Sequence, residues 1–172
     1  MGYIFILRHG PTHSNEKLNL KKMYNFCPHI INKLLMYGGV DIIYTSPIER
    51  CKDTANIIRS ILNIKKKKLI VTKYLRRIDD DESILSIQRR TAEFGYNILN
   101  MYKNIVYKSS SNSNIKNKDK NILIISHSSV LKYVIEGIID SKLSNIYFNT
   151  ASLTIYDYKN DELIDLNIKW DI

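Results

Sequence analysis

Three short apolar runs, each followed by cationic or histidine side chains, constrain the fold of this chain more than any other feature. The runs and the residues that follow them are 3–7 with Arg8 and His9, 41–44 with Arg50, and 121–125 with His127. Each run has the length and the apolar content of a buried strand. Parallel strands present their carboxyl ends at one sheet edge, where open α/β sheets bind ligands. We therefore expect these side chains to converge there, in a site suited to phosphate.

Helix and strand signals alternate along the chain, which predicts an α/β fold: a three-layer α/β/α sandwich with a mostly parallel central sheet. A length of 172 residues fits one domain, and we assign 1–172 to it. The predicted strands are 3–8, 41–45, 69–74, 122–126, 153–158 and 163–168, the last two forming a hairpin. The predicted helices are 29–37, 48–62, 79–102 and 129–139, with a polar loop over 107–121.

The net charge of the chain is +9, which favours anionic ligands. The basic residues are not interleaved with aromatic side chains, so we expect no nucleic-acid partner. No apolar run approaches the length of about 20 residues that a membrane span requires, and the chain enters a strand at once without a signal-peptide pattern. Cys27 and Cys51 lack metal-site spacing, which indicates free thiols in a reducing compartment. These features predict a cytoplasmic protein without membrane association.

Four segments resemble, in chain order, the signature of one family. They are Leu7-Arg8-His9-Gly10-Pro11-Thr12-x-x-Asn15, then Thr45-Ser46-Pro47-Ile48-x-Arg50-Cys51-x-x-Thr54-Ala55, then Glu82-Ser83 with Arg90, and last Ile124-Ile125-Ser126-His127-Ser128. Together they resemble the histidine phosphatase superfamily, whose fold is phosphoglycerate-mutase-like. The resemblance spans nearly the whole chain.

The resemblance implies a role for each matched residue. His9 would be the nucleophile, because a neutral imidazole can attack phosphorus and carry the phosphoryl group as phosphohistidine. Arg8, Arg50 and His127 would bind the phosphate oxygens, and Asn15 would add a neutral donor. Since these cations belong to the chain itself, we expect no metal and no other cofactor.

The general acid of the family has no direct match in this sequence. The family carries a glutamate in a Leu-x-Glu pattern after the third strand, and the corresponding stretch here is Leu75-Arg76-Arg77. Four carboxylates follow over 79–82, and the preference of a helix N-terminus for negative charge explains most of them. Glu82 has the longest reach, so we choose it as the candidate acid. Without a well-placed acid to protonate the leaving group, the site would favour good leaving groups, such as a phenol or the imidazole of phosphohistidine.

We expect a phosphatase that hydrolyses phosphomonoesters of a phosphorylated small molecule or a phosphoprotein. Two alternatives stay open: a protein phosphatase directed at phosphohistidine, and a non-catalytic descendant that only binds phosphate. A mutase is less favoured, because it needs an acid and an enclosed pocket. A metal site made of His9, His13 and His127 is also disfavoured, since Pro11 breaks any helix that would align the first two.

Overall fold

A six-stranded sheet forms the centre of the fold. The computed structural model describes residues 2–14, 16–78, 81–110, 119–144 and 146–170, with 104–110 as backbone alone. The elements are β1 (Tyr3–Arg8), α1 (Leu20–Met36), β2 (Ile42–Thr45), α2 (Glu49–Ile61), β3 (Leu69–Val71), α3 (Ile84–Ser110), β4 (Ile122–Ser126), α4 (Ser128–Ile139), β5 (Leu153–Asp157) and β6 (Glu162–Ile168). The strand order is β3-β2-β4-β1-β5-β6, and within the described residues β5 alone runs antiparallel to the others.

Two apolar cores lie on opposite faces of this sheet, because alternate residues of a strand point to opposite sides. Phe5 and Leu7 of β1 pack with α1 and α2, whereas Ile4 and Ile6 pack with α3 and α4. The helices therefore form the outer layers of the predicted three-layer sandwich. None of the helices in the described ranges is long and apolar enough to cross a membrane.

The predicted start of the first helix is wrong, because α1 begins at Leu20 and not at residue 29. Asn19 caps it, since its side-chain oxygen accepts a hydrogen bond from the Lys22 N–H at 3.0 Å. Pro28 lies inside the helix and leaves one backbone hydrogen bond unmade. The stripe that packs against the sheet continues on both sides of it and comprises Met23, Cys27, Ile30, Ile31 and Leu34. Burial of this stripe outweighs the missing bond.

The bounds of the long helix also differ from the prediction of 79–102. The helix α3 begins at Ile84, and its backbone runs to Ser110, into the segment predicted as a polar loop. The Ser83 hydroxyl accepts a hydrogen bond from the Ser86 N–H at 3.2 Å, so a serine and not an acidic first turn caps this helix. Asp79, Asp80 and residues 111–118 lie outside the described residues.

The third strand is shorter than the predicted 69–74. It ends at Val71, and a 3-10 turn over Lys73–Leu75 follows. The Thr72 hydroxyl accepts a hydrogen bond from the Tyr74 N–H at 3.4 Å, which starts the turn. The chain then passes Arg77 beside the carboxyl edge of the sheet, where it lines a cavity.

The three predicted apolar runs become the adjacent parallel strands β1, β4 and β2. Arg8 lies opposite Ser126, and Thr45 lies opposite Ile125, so the strands end in register. The His9 N–H then donates to the Ser126 carbonyl at 3.0 Å, which fastens the first loop to the neighbouring strand end. The structure therefore brings the residues after all three strands to one edge.

A single buried amide ties the strands together at the opposite, amino-terminal edge. The Asn121 side-chain oxygen accepts from the Tyr3 N–H at 3.0 Å, and its amide nitrogen donates to the carbonyls of Tyr37 at 2.8 Å and Gly39 at 2.9 Å. Its backbone N–H donates to the Asp41 carboxylate at 2.8 Å. Asn121 thus joins β1, the end of α1 and the approach to β2 at the start of β4.

Candidate active site

His9 follows β1 directly, and two hydrogen bonds hold its ring. The Nδ1–H donates to the Gly10 carbonyl at 2.8 Å, and the Arg50 Nε–H donates to Nε2 at 3.2 Å. Because a guanidinium only donates, these partners assign the proton to Nδ1 and leave Nε2 unprotonated, with its electron pair facing the Arg50 Nε–H. Burial lowers the pKa of His9 to about 4, and Arg50 and Arg8 add to that effect. His9 is therefore a neutral imidazole whose Nε2 can act as a nucleophile.

Arg50 is the central cation of the site. It lies in the first turn of α2 and is 7% exposed. Besides its bond to His9, its Nη2 lies 3.4 Å from His127 Nδ1, and its Nη1 donates to Glu16 Oε2 at 2.9 Å. One guanidinium therefore contacts both imidazoles, which places a fixed positive charge where a phosphate would meet Nε2 of His9.

His127 follows β4 and packs edge-on against His9, with 5.3 Å between the ring centroids. Its Nδ1 faces Arg50, a donor, so the proton lies on Nε2, which donates to the Ser46 hydroxyl at 3.0 Å. Burial lowers the pKa of His127 to about 3, with His9 and Arg50 contributing. His127 is thus a second neutral ring, held in one orientation by the loop after β2.

Cys51 lies under His127, with its sulfur 3.5 Å from Nε2. Burial raises the pKa of this thiol to about 12, although Arg50 opposes the shift. It is therefore a neutral packing group and not a thiolate nucleophile. Cys27 and Cys51 are both free, as the sequence predicts, and both are buried.

Arg8 closes another side of the site. Its guanidinium lies over the Tyr147 ring, 4.9 Å from the ring centroid, and its Nη1 donates to the Phe148 carbonyl. Its Nε is buried and has no hydrogen-bond partner within the described part of the chain. Because buried donors are normally satisfied, this one suits an anionic ligand.

A carboxylate bridges the site and its rim. Glu16 Oε2 accepts from Arg50, and Glu16 Oε1 accepts from Arg77 Nη1, each at 2.9 Å. The two arginines hold the pKa of Glu16 below its usual range, Arg50 contributing most. Glu16 adopts a left-handed backbone conformation with φ of 63°, in a turn where its N–H donates to the His13 carbonyl at 3.1 Å.

The two histidines, the three arginines and Glu16 line one cavity of about 740 Å³. Of the residues predicted from the sequence, the lining includes Arg8, His9, Arg50 and His127. Asn15 lies outside the described residues. The arrangement offers a neutral nucleophile, two arginines and a second imidazole, which together can bind and receive a phosphoryl group.

One predicted candidate, Glu82, is not brought into the cavity, and neither is His13 of the disfavoured metal site. Glu82 does not line it: its carboxylate binds the Arg90 guanidinium through two hydrogen bonds of 2.6 and 2.7 Å. Arg90 holds the pKa of Glu82 below its usual range. His13 is exposed and lies 3.5 Å from the Asn19 amide, away from the other two histidines of the disfavoured metal site.

The sequence reasoning missed Glu16 and the placement of Arg77 and Lys132 on the cavity wall. Glu16 directly follows the opening motif, and that adjacency is the one signal that could have found it. Arg77 meets Glu16 across 61 positions of the chain, a pairing that local patterns do not encode. Lys132 lies one turn into α4, where basic side chains are ordinary.

Solved structures with a similar fold include two phosphatases. A phosphoserine phosphatase from Entamoeba histolytica matches with a TM-score of 0.68 and 17% identity, covering 98% of each chain. The protein histidine phosphatase SixA matches at 0.65 and 13%, covering 91% of this chain and 90% of that one. Both are members of the histidine phosphatase superfamily. This chain has the histidine phosphatase fold.

A third match of the same fold is the mycobacterial glucosyl-3-phosphoglycerate phosphatase, with a TM-score of 0.57 and 13% identity, covering 91% of this chain and 90% of that one. No family model matches the sequence, and no curated protein matches it. The histidine phosphatase fold is therefore recognised here by its backbone and by the short motifs around His9, Arg50 and His127.

We expect His9 and His127 to stay neutral well below the ordinary imidazole pKa of 6.5, because their pKa values are about 4 and about 3. As the pH falls below 6.5, the unfolded chain binds protons on these rings and the folded chain does not. The free energy of unfolding should therefore decrease between pH 6.5 and pH 4. Denaturant unfolding at several pH values measures this decrease, and NMR titration of the ring carbons measures the pKa values.

Inorganic phosphate supplies the control for this titration. A bound phosphate anion favours the imidazolium form, so it should raise both pKa values. If both rings titrate near 6.5 and phosphate leaves their pKa values unchanged, the buried arrangement of the two histidines beside the arginines is contradicted.

Proposed function

We propose that this chain is a phosphatase that hydrolyses phosphomonoesters through a phosphohistidine at His9, without a metal. The observation that carries the proposal is the state of His9 Nε2: unprotonated, 3.2 Å from Arg50 Nε, on the wall of a cavity lined by cations. A group with that electron pair in that surrounding is suited to attack on phosphorus. The structural matches, which are phosphatases, support the same activity.

The reaction has two steps. In the first, the Arg50 Nε–H turns from His9 Nε2 to the phosphate, and Nε2 forms a bond to phosphorus. The bond from phosphorus to the ester oxygen breaks at the same time, and the leaving oxygen takes a proton from water. In the second, water attacks the phosphorus, the P–N bond breaks, and inorganic phosphate leaves with the imidazole restored. Arg8 and Arg50 bind the phosphate oxygens in both steps, and His127 donates to them once it has taken up a proton on Nδ1. The Gly10 carbonyl keeps the proton of His9 on Nδ1.

The substrate in this proposal is a phosphorylated small molecule or a phosphoprotein. The Entamoeba enzyme was solved with 3-phosphoglyceric acid, and the mycobacterial enzyme is named for a sugar-linked phosphoglycerate, which supports a small substrate. The free buried thiols Cys27 and Cys51 support a reducing compartment such as the cytoplasm.

A second candidate is a phosphatase that removes phosphate from phosphohistidine in proteins. The observation that favours it is the ionised state of Glu16, the one carboxylate on the cavity wall within the described residues. A carboxylate held ionised by two arginines is a poor proton donor, and a leaving imidazole needs little protonation. The likeness to SixA, a protein histidine phosphatase, supports the same substrate.

Activity should fall steeply as the leaving group becomes more basic. We expect aryl phosphates and a phosphohistidine peptide to be hydrolysed about 10²–10⁴-fold faster than alkyl phosphates, because proton donation is poorly supplied. The measurement is kcat/KM over a series of esters of graded leaving-group pKa, with and without a chelator. Chelation should leave every rate unchanged.

Glu82→Gln is the informative variant in this series. Because Glu82 is bound to Arg90 outside the cavity, the slope should stay as in the unsubstituted protein. A flat series would show that an efficient acid exists. Binding of vanadate without hydrolysis of any ester would identify a non-catalytic phosphate-binding protein, and loss of activity on chelation would identify a metal enzyme.

A further inference from the structure

The guanidinium group of Arg50 makes contacts on two sides. Its Nε and Nη2 share one edge, and this edge faces the two imidazoles: Nε lies 3.2 Å from His9 Nε2, and Nη2 lies 3.4 Å from His127 Nδ1. On the other side, Nη1 donates to Glu16 Oε2 at 2.9 Å. A planar guanidinium binds phosphate through two parallel N–H groups of one edge. The edge beside the nucleophile is the one that faces the imidazoles, so the contact with Glu16 can persist while phosphate is bound.

Glu16 is itself held by a second arginine. Its Oε1 accepts from Arg77 Nη1 at 2.9 Å, so each carboxylate oxygen is bound by a different guanidinium. The side chain of Arg77 is 53% exposed, and water screens that pair. Arg50 is buried, and without Glu16 its charge would have no carboxylate partner within the described residues, which is costly. The contact with Arg50 is therefore the stronger of the two, and Arg77 holds the carboxylate from outside.

The loop before α1 brings Glu16 to this place. Thr12 and Leu18 form an antiparallel bridge, and the Glu16 N–H donates to the His13 carbonyl at 3.1 Å. Within this closed loop Glu16 has a φ of 63°, a conformation that costs energy for a residue with a Cβ. A glycine would relieve that cost but would leave Arg50 without its carboxylate.

The charge of Glu16 and its hold on Arg50 have opposite effects on the reaction. Glu16 is ionised, because its two arginines hold its pKa below its usual range, and it lies on the cavity wall. Its negative charge repels a phosphate and so weakens binding. Its hydrogen bond fixes the direction of a long side chain that otherwise samples several rotamers, and such alignment increases the rate of the chemical step. The two effects are separable, since one acts on KM and the other on kcat.

We propose that Glu16 is a positioning residue for phosphoryl transfer, and that Arg77 anchors it. This proposal rests on the proposed phosphatase function. Glu16 keeps Nη1 of Arg50 fixed, so the edge formed by Nε and Nη2 passes from the two imidazoles to the phosphate oxygens by a small turn. Arg77 contacts no reacting group in this role, and it acts only through Glu16.

The first test is the steady-state kinetics of Glu16→Gln with an aryl phosphate. The amide keeps the shape of the side chain but has one acceptor oxygen for two arginines. We expect kcat to fall about tenfold or more, the effect of one charge-assisted hydrogen bond, while KM stays the same or falls. Glu49→Gln removes an exposed carboxylate from the first turn of the helix that carries Arg50, and should change neither constant.

Two results of this test would overturn the positioning role. An unchanged or higher kcat in Glu16→Gln would show that Glu16 only competes with the phosphate. A rise in KM would indicate general damage to the site, because loss of a negative charge cannot by itself weaken the binding of an anion.

Arg77→Gln tests the anchor. It should lower kcat by about two- to fivefold, the effect of losing an exposed ion pair. Glu16→Gln/Arg77→Gln should lose no more than Glu16→Gln, because Arg77 then has no carboxylate to hold. Lys73→Gln, an exposed residue outside the cavity, is the charge-matched control and should keep its kcat. No loss in Arg77→Gln, or losses that multiply in the double variant, would overturn the anchor.

A measurement without turnover separates this proposal from the phosphatase function. Exchange of the Arg50 Nε–H with water, followed by ¹⁵N NMR, reports how firmly the guanidinium is held. We expect exchange about tenfold faster in Glu16→Gln than in the unsubstituted protein and in Glu49→Gln. Faster exchange in a protein that hydrolyses no ester would support the hold on Arg50 and reject the phosphatase. Equal exchange in a protein that hydrolyses aryl phosphates would support the phosphatase and overturn the positioning role.

Discussion

His9→Ala is expected to lose phosphatase activity by at least about a thousandfold, because removing a covalent nucleophile leaves only binding and charge stabilisation. The unsubstituted protein, mixed with a ³²P-labelled aryl ester and quenched during turnover, should carry a label that acid removes and base does not. That is the stability expected of a phosphohistidine. His9→Ala should carry no label, since the attacking Nε2 is gone.

His13→Ala is the matched control for this experiment. It removes an exposed histidine four positions along the same loop, outside the cavity, and should keep both label and activity. A label that persists in His9→Ala and disappears in His127→Ala would reverse the roles of the two rings. A base-labile label would place the phosphoryl group on another kind of side chain.

Arg50→Gln is expected to abolish most of the stabilisation that vanadate gives the folded protein. A ligand at 100 times its Kd stabilises by about 2.7 kcal/mol, which corresponds to a rise in Tm of about 5–10 °C for a domain of this size. Arg50 contacts both imidazoles, so its loss removes the fixed charge at the centre of the anion site. Thermal unfolding with and without vanadate measures the shift.

The shift, and not the Tm of the free protein, is the quantity to compare. Arg50 is buried, so its replacement changes the stability of the free protein as well. Lys52→Gln removes a cation from the same helix, where it pairs with Glu49, and should keep the full vanadate shift. A full shift in Arg50→Gln would exclude Arg50 from the anion site.

The sheet and the placement of the four strand-end residues could be predicted from the sequence because short-range patterns encode them. Arg8, His9, Arg50 and His127 each follow an apolar run, and parallel pairing then fixes their meeting without further information. Helix starts were harder. Asn19 caps α1 far ahead of the proline that dominates the local pattern, and Ser83 caps α3 behind a run of carboxylates.

Ion pairs between segments that are distant in the chain could not be predicted from the sequence. The sequence alone does not distinguish Glu16 from the four carboxylates over 79–82 as a candidate acid. Glu82 was chosen from that cluster because its side chain has the longest reach. In the folded chain Glu82 is taken by Arg90, eight positions away, whereas Glu16 is taken by Arg50 and Arg77. Which arginine pairs with which glutamate depends on where the tertiary fold places each guanidinium group.

The hydrogen bonds of the Asn121 side chain lie at one edge of the sheet, and the cavity lies at the other. The contacts that hold the strands together are therefore separate from the residues that line the site. The Asn121 hydrogen bonds fasten the strands at the amino-terminal edge, a full strand length from the cavity at the other edge. Residues on the loops around the cavity can therefore change without loosening that fastening. A lineage with this architecture can drift in the ester it accepts, at positions on the cavity wall, while its register is inherited intact. Because the structural contacts and the cavity residues are separate, one fold can serve many different substrates.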